Sequence, residues 1–295
     1  MRNYNLNIAG YKIRIEASAD APELFPSDRF LSNICDENDP DVIISVRSGK
    51  YNLPAGAEKV LSAPYVEEIN GIRVKNNDEF WNVYKHHNDL YISTFFPLSS
   101  ENKRATLKFS LTDMDWELWI EGVDKKTDPL EYPLDGLVLY YLTVIHGDIM
   151  IHASGINNAG HGYIFSGVSG KGKTTMAKLW DNSGAWVIHD DRLILRKTGS
   201  GFRMFSTPVY DNDEPKDSQL NKIFLIEHGL SNKLVPVKGA AAVSLLIANC
   251  IQHNWSSDII ARLLGSVSIM CITVPVVRLY FKPDRSVIDH ILEYE

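Results

Sequence analysis

Gly167, Gly172, Lys173 and Thr174 hold the spacing G-x-x-x-x-G-K-[ST] within the run GYIFSGVSGKGKTTMAKLW. That spacing does chemistry in one setting, with a strand before it and a helix after it, so that the turn's backbone N–H groups converge on one point. Both neighbours are here: YIF is rich in β-formers and TTMAKLW in helix-formers. Glycine permits the angles of a tight nest, and the helix N-terminus adds partial positive charge. The stretch Gly167, Val168, Ser169, Gly170, Lys171, Gly172, Lys173, Thr174 and Thr175 is therefore expected to cradle a polyphosphate, ATP, with Mg2+. Lys173 supplies a mobile charge for the β- and γ-phosphates, Thr174 a hydroxyl ligand for magnesium, and Lys171 charge at the rim.

Further on, AWVIHDD is expected to end an apolar strand in Asp190 and Asp191. In a strand, helix, strand unit the second strand returns beside the first, which sets both acids near the loop. Two acids facing triphosphate repel it unless a cation intervenes. With magnesium, one acid becomes a metal ligand, assigned here to Asp190 with Thr174, and one a base for a hydroxyl proton. Side chains alternate faces along a regular strand, so one of the pair points at the site and the other supports it; the alternative is a surface turn with one acid paired to Arg192. Before the loop, IMIHASGINNAGHGYIFSG reads as a hairpin turning at 157–160. Pairing Gly155 with Gly162 would put His152 opposite Phe165, where an imidazole either contacts phosphate or is structural.

These groups need a scaffold, and the pattern supplies it in two parts. Residues 1–130 read as a meander of mostly antiparallel strands (YNLNIAGYKIRIEA, DVIISVRSG, FWNVYKHHNDLYISTFF, RATLKFSLTDMDWELWIEG). After the linker KKTDPLEYP, residues 131–295 begin with helical spacing from Leu134 to His146 and then alternate strands with helices: an α/β pattern around a mixed sheet. The boundary is placed near 130, with the β-rich part as a candidate for acceptor recognition.

The 295 residues are 44% hydrophobic, enough for a sizeable core, and carry net charge −7. That charge excludes a general nucleic-acid or anionic-membrane surface, so an anionic ligand needs a local positive site. The three cysteines, Cys35, Cys250 and Cys271, lack disulfide or zinc spacing. With no apolar N-terminal region and no run long enough to cross a membrane, the expectation is a cytoplasmic protein, with room for a homo-oligomer. His86 and His87 sit in a turn and read as solvated; Trp116, Trp119, Tyr140 and Tyr141 read as core rather than as a shelf for a base.

Together, IHASG, GVSGKGKTT and VIHDDRLIL resemble the HPr kinase/phosphorylase family, which shares a superfamily with the ATP-dependent phosphoenolpyruvate carboxykinases. The resemblance covers roughly 134 to 295. It implies an HPr kinase-like α/β domain in which His152, Lys173 and one aspartate, Asp191, are catalytic, Thr174 binds magnesium, and the aspartate is base toward a serine hydroxyl. The family also places a glutamate on magnesium within a Gly-rich signature; here the sequence is TPVYDNDEPKD, with Asp211, Asp213 and Glu214 as candidate substitutes. Glu227 is a candidate acid near magnesium or a strand-end surface residue, and Arg262 and Arg278 are candidate phosphoryl clamps. The implied activity is phosphotransfer to a serine of a protein or peptide, or to a small hydroxyl compound. The alternatives are a non-catalytic ATP sensor and carboxykinase-like chemistry.

Overall fold

A computed structural model of the protein describes residues 1–64, 68–69, 72–73, 80–98, 103–122, 126–211 and 213–294. The chain divides into two compact units, Met1–Ile145 with Tyr210–Asp213, and His146–Val209 with Glu214–Glu295.

In the first unit, strands β1 (Asn3–Ile8), β2 (Tyr11–Ala17), β4 (Ile34–Cys35), β5 (Val42–Ser48), β6 (Glu58–Ser62), β9 (Trp81–His86), β10 (Asp89–Phe95), β11 (Arg104–Ser110) and β12 (Asp115–Glu121) form one sheet. Its order is β4-β1-β2-β5-β12-β11-β10-β9-β6. Short pairs β3 (Glu23–Leu24) with β13 (Lys126–Thr127), and β7 (Glu68–Ile69) with β8 (Ile72–Arg73), lie outside it. The meander expected from alternation is present in β9 to β12, but β5 joins both β2 and β12 in parallel. Period-2 patterning decides the faces: Leu6, Ile13 and Ile15 are buried while their neighbours are not.

Helix α1 (Leu134–His146) falls almost wholly in this unit, so the division comes after Ile145 and not near 130. The reason is packing: α1 is apolar on most sides, and Tyr141 sets its ring 4.5 Å from Phe109 of β11. Trp116, Tyr140 and Tyr141 are buried as expected; Trp119 is only half-buried and lies against Tyr51, ring centroids 5.7 Å apart.

In the second unit the sheet comprises β14 (Ile149–Asn158), β15 (His161–Ser166), β16 (Trp186–Thr198), β17 (Gly201–Ser206), β18 (Asp217–Gln219), β19 (Lys222–His228), β20 (Lys233–Val237) and β21 (Val276–Phe281). The order is β18-β17-β16-β14-β15-β19-β21-β20. It is mixed: β15, β19 and β21 are mutually parallel, and the other neighbours antiparallel. Helices α2 (Lys173–Asn182) and α5 (Ser286–Glu293) cover one face through Met176, Trp180, Val287 and Ile291. Helices α3 (Gly239–Ile247) and α4 (Ser257–Thr273) cover the other through Ala242, Leu246, Val267 and Met270. On β15, Phe165 serves the first cluster and Ile164 the second, as alternation requires. Each large apolar side chain fully buried here contributes about 1.5–3 kcal/mol. This is the mixed α/β pattern expected, with β18 and β20 added. Among the described residues no helix is long and apolar enough to cross a membrane.

Candidate functional site

The site grows from the end of β15. Ser166 closes the strand, and the chain turns through Gly167 to Gly172 before α2 begins at Lys173. Within the turn the Lys171 N–H reaches the Val168 carbonyl at 3.2 Å, Gly170 has φ +79°, and Gly172 has φ +96°. Gly172 is required for a second reason, because a Cβ there would lie 2.7 Å from Phe281 Cζ. Its carbonyl accepts the Met176 N–H, which starts the helix and leaves the first-turn N–H groups at the turn without intrahelical partners. Lys173 folds back, its Nζ donating to Gly167 O at 2.8 Å and Val168 O at 3.4 Å. Burial pulls the Lys173 ammonium below its usual range, opposed by the charges of Asp190 and Asp191.

The hairpin before the turn differs in register from expectation. Gly162 pairs with Asn157, and Phe165 with Ser154, two residues along from the Gly155–Gly162 alignment. The cause is a two-residue turn: Ala159 and Gly160 take φ +50° and +92°, so Asn158 pairs directly with His161. An even shift preserves faces, so His152 keeps its side of the sheet but moves beyond Phe165. Ser154, deeply buried on β14, donates to the Lys173 carbonyl at 2.8 Å and ties the hairpin to α2.

The strand after α2 does not return beside β15. β14 lies between them, and β16 pairs antiparallel with β14. Nor does β16 end at the aspartates: it runs on to Thr198, taking in the stretch LILRK. The hairpin partner β14 occupies the place next to β15, so the crossover passes over one strand. β15 and β16 still run the same way, and the aspartates reach the loop helix. The register shifts at Gly155/Ile156, with Gly155 opposite His189 and Ile156 opposite Val187.

Past that irregularity the two acids take different partners. Asp190 receives a hydrogen bond from the Thr174 hydroxyl, and burial holds its carboxyl above the ordinary range despite that bond. Its Oδ1 is buried with no hydrogen-bond partner among the described residues. Asp191 Oδ1 lies 3.2 Å from His152 Nδ1, and its Oδ2 3.5 Å from Arg192 Nε. Burial would raise the Asp191 carboxyl, but the hydrogen bond from His152 and the Arg192 guanidinium hold it below its usual value. Neighbouring carboxyls pushed in opposite directions are what an acid–base or metal site needs. Of the surface-turn alternative the Arg192 pairing is present but the turn is not, since Asp190 and Asp191 lie within β16.

His152, Lys173, Thr174, Asp190 and Asp191 are thus brought together, with half-exposed His152 at the rim. Other candidates have different partners or are exposed. Glu227 meets Arg278, Oε1 to Nε 3.6 Å, across neighbouring strands, and Arg262 is exposed on α4. Asp213 accepts the Tyr210 N–H at 2.7 Å, and Asp211 and Glu214 are exposed. His86 and His87 stay at the β9–β10 turn, ring centroids 4.2 Å apart. Sequence reasoning missed His228, whose Nε2 lies 3.1 Å from the Gly170 carbonyl while its ring stacks on Phe281 at 5.5 Å. The available signal was position, at the end of a strand running parallel to β15.

Among the described residues no three or more His, Cys, Asp or Glu side chains gather as a metal cage. Magnesium does not need one, since it keeps waters and takes one or two protein oxygens together with substrate phosphates. The unpartnered Asp190 oxygen beside the Thr174 hydroxyl fits that demand.

No family model matches the chain, and no curated protein does. Among solved structures the chain is similar to the Hpr(Ser) kinase/phosphatase from Coxiella burnetii, at 10% identity over 49% of this chain and 97% of that one, with a TM-score of 0.30. A likeness that slight carries no weight for the fold or for the site.

Proposed function

We propose that the second unit is an ATP- and magnesium-dependent phosphotransferase of the HPr kinase-like kind, moving the γ-phosphoryl group to a hydroxyl on a protein serine, a peptide or a small compound. The observation that carries this reading is the division between the aspartates: one beside the Thr174 hydroxyl with an unused oxygen, the other locked to His152 and Arg192, both next to Lys173.

The turn N–H groups and the α2 N-terminus hold the phosphates. Lys173 exchanges the Gly167 and Val168 carbonyls for β- and γ-phosphate oxygens and offsets charge as transfer proceeds. Thr174 and Asp190 would hold magnesium, which would supply positive charge to offset that of the phosphates. Asp191 receives the acceptor's hydroxyl proton as the new O–P bond forms and the bond from γ-phosphorus to the bridging oxygen breaks. The proton then passes to solvent. A loose transition state releases that proton late, so the position of Asp191 matters more than its basicity, and His152 and Arg192 fix that position.

The test has two stages. Calorimetric titration with ATP, with and without magnesium, should give magnesium-dependent binding by the intact chain and none by Lys173→Ala. Incubation with γ-labelled ATP and a lysate of the host should then yield a labelled species that is absent with Asp191→Asn. Failure to bind ATP would sink the proposal; binding without any Asp191-dependent label would leave a nucleotide sensor.

A further inference from the structure

Strands β15, β19 and β21 are parallel, so their C-terminal ends share the sheet edge at which the Gly167–Gly172 turn begins. On one flank of β15 lie β14 and β16 with His152, Asp190 and Asp191. On the other flank, β19 and β21 end in His228 and Phe281. These two rings stack, centroids 5.5 Å apart and planes 29° apart. Phe281 is fully buried, while His228 above it is exposed. A Cβ on Gly172 would meet Phe281 Cζ at 2.7 Å and His228 Cε1 at 3.4 Å, so the pair lies directly against the turn. A carbonyl only accepts, so His228 Nε2 carries a proton and donates it to Gly170 O at 3.1 Å, which fixes the ring's orientation. Two residues along, Leu230 is 100% exposed.

We propose that His228, backed by Phe281, is the platform on which the base of the bound nucleotide stacks. The inference rests on the phosphotransferase reading, because it takes the direction of the triphosphate from it. With the γ-phosphate at the aspartate flank, a linear triphosphate laid along the turn sends its α-phosphate and nucleoside over the β19–β21 flank. There the nucleoside meets a flat ring already held in place, and the exposed leucine offers apolar cover. A heteroaromatic base on such a ring gains contact without stripping water from its polar edge. Stacking reads the face of a base and not its hydrogen-bonding edge, so the platform accepts either purine and discriminates little between ATP and GTP.

The experiment titrates the full chain with the magnesium complexes of ATP, GTP and inorganic tripolyphosphate, comparing the unaltered protein with His228→Ala and His228→Phe. Removing the ring should weaken both nucleotides on the order of tenfold while leaving tripolyphosphate unchanged. His228→Phe, which restores a ring but not the bond to Gly170, should recover nucleotide affinity. Equal loss for nucleotides and tripolyphosphate would assign His228 to holding the turn and overturn the platform, as would no loss in either. If the unaltered protein binds tripolyphosphate as tightly as ATP, the base has no contact and the platform fails while the phosphate reading stands. Failure of all three ligands to bind would sink both.

Discussion

Each unit builds a broad sheet, yet polar side chains are distributed over the two in different ways. On the first unit's large sheet, charges meet as cross-strand neighbours: Lys108 lies 3.7 Å from Asp89 and 3.8 Å from Glu117, and Arg47 3.2 Å from Glu117. They offset one another within the exposed face. In the second, polar groups from a turn, two strands and a helix converge on one sheet edge, where burial shifts Lys173 down and Asp190 up. The difference lies in the connections. A hairpin returns at once and distributes side chains over faces with a period of two. A crossover helix starts where its strand stops and aims N–H groups off the edge. Convergent chemistry follows from the second kind.

The comparison breaks most visibly at glycine. Gly172→Ala should destabilise the protein by about 2–4 kcal/mol, combining left-handed strain with displacement of the Phe281 ring, and should abolish ATP binding in calorimetry. Gly56 in the first unit also has positive φ, +89°, but nothing lies within 4 Å of the Cβ it would gain. Gly56→Ala should cost only about 1 kcal/mol in a denaturant melt.

Acid should separate the units next. Burial depresses His253 of the second unit from 6.5 to about 3, so the folded form stays neutral while the unfolded chain takes up a proton. Stability from this group is complete above about pH 6.5 and falls by up to about 1.4 kcal/mol for each pH unit toward 3. Asp128 of the first unit is raised by burial, so the folded form binds the proton first and gains stability as pH falls. Scanning calorimetry of the full chain at pH 7 and at pH 4.5, each time beside the variant, should show the two groups acting in opposite senses. His253→Phe should flatten the second unit's response, and Asp128→Asn the first's.

A smaller effect is expected at Asp190→Asn, which should reduce magnesium-dependent ATP affinity on the order of tenfold and leave metal-free binding unaltered. The smallest belongs to Glu227→Gln. Its half-exposed pair with Arg278 is a surface ion pair worth under about 1 kcal/mol; the melting curve and ATP affinity should both hold, and a large loss of affinity would return Glu227 to the site.

How much of this the residues alone reveal depends on the range of the interaction. The turn and helix 167–182 are local: glycine spacing, a β-rich run before and helix-formers after suffice, and a helix does follow, from Lys173. The acids are legible as a pair, but their partners are not. Which oxygen meets Thr174 and which meets His152 depends on the register shift opposite Gly155 and on β14 lying inside β16, and neither leaves a local trace. His228 and Phe281 are further out of reach, since their approach to the turn is set by parallel pairing across β15, β19 and β21. The helix at 134–146 was legible as a helix. Its allegiance was not, because apolar residues on most sides do not say which sheet they cover.

The strand that intervenes between β15 and β16 also orders the events of synthesis. The β14–β15 hairpin is close in sequence and can close within about 1–10 μs of leaving the ribosome. Its far side then presents a row of open backbone donors and acceptors until Trp186–Thr198 arrives to pair with it. During that interval the nascent chain is a template for any extended segment it meets. Asp190 and Asp191 lie on that covering strand, so the carboxylates of the site arrive together with the strand that closes this edge.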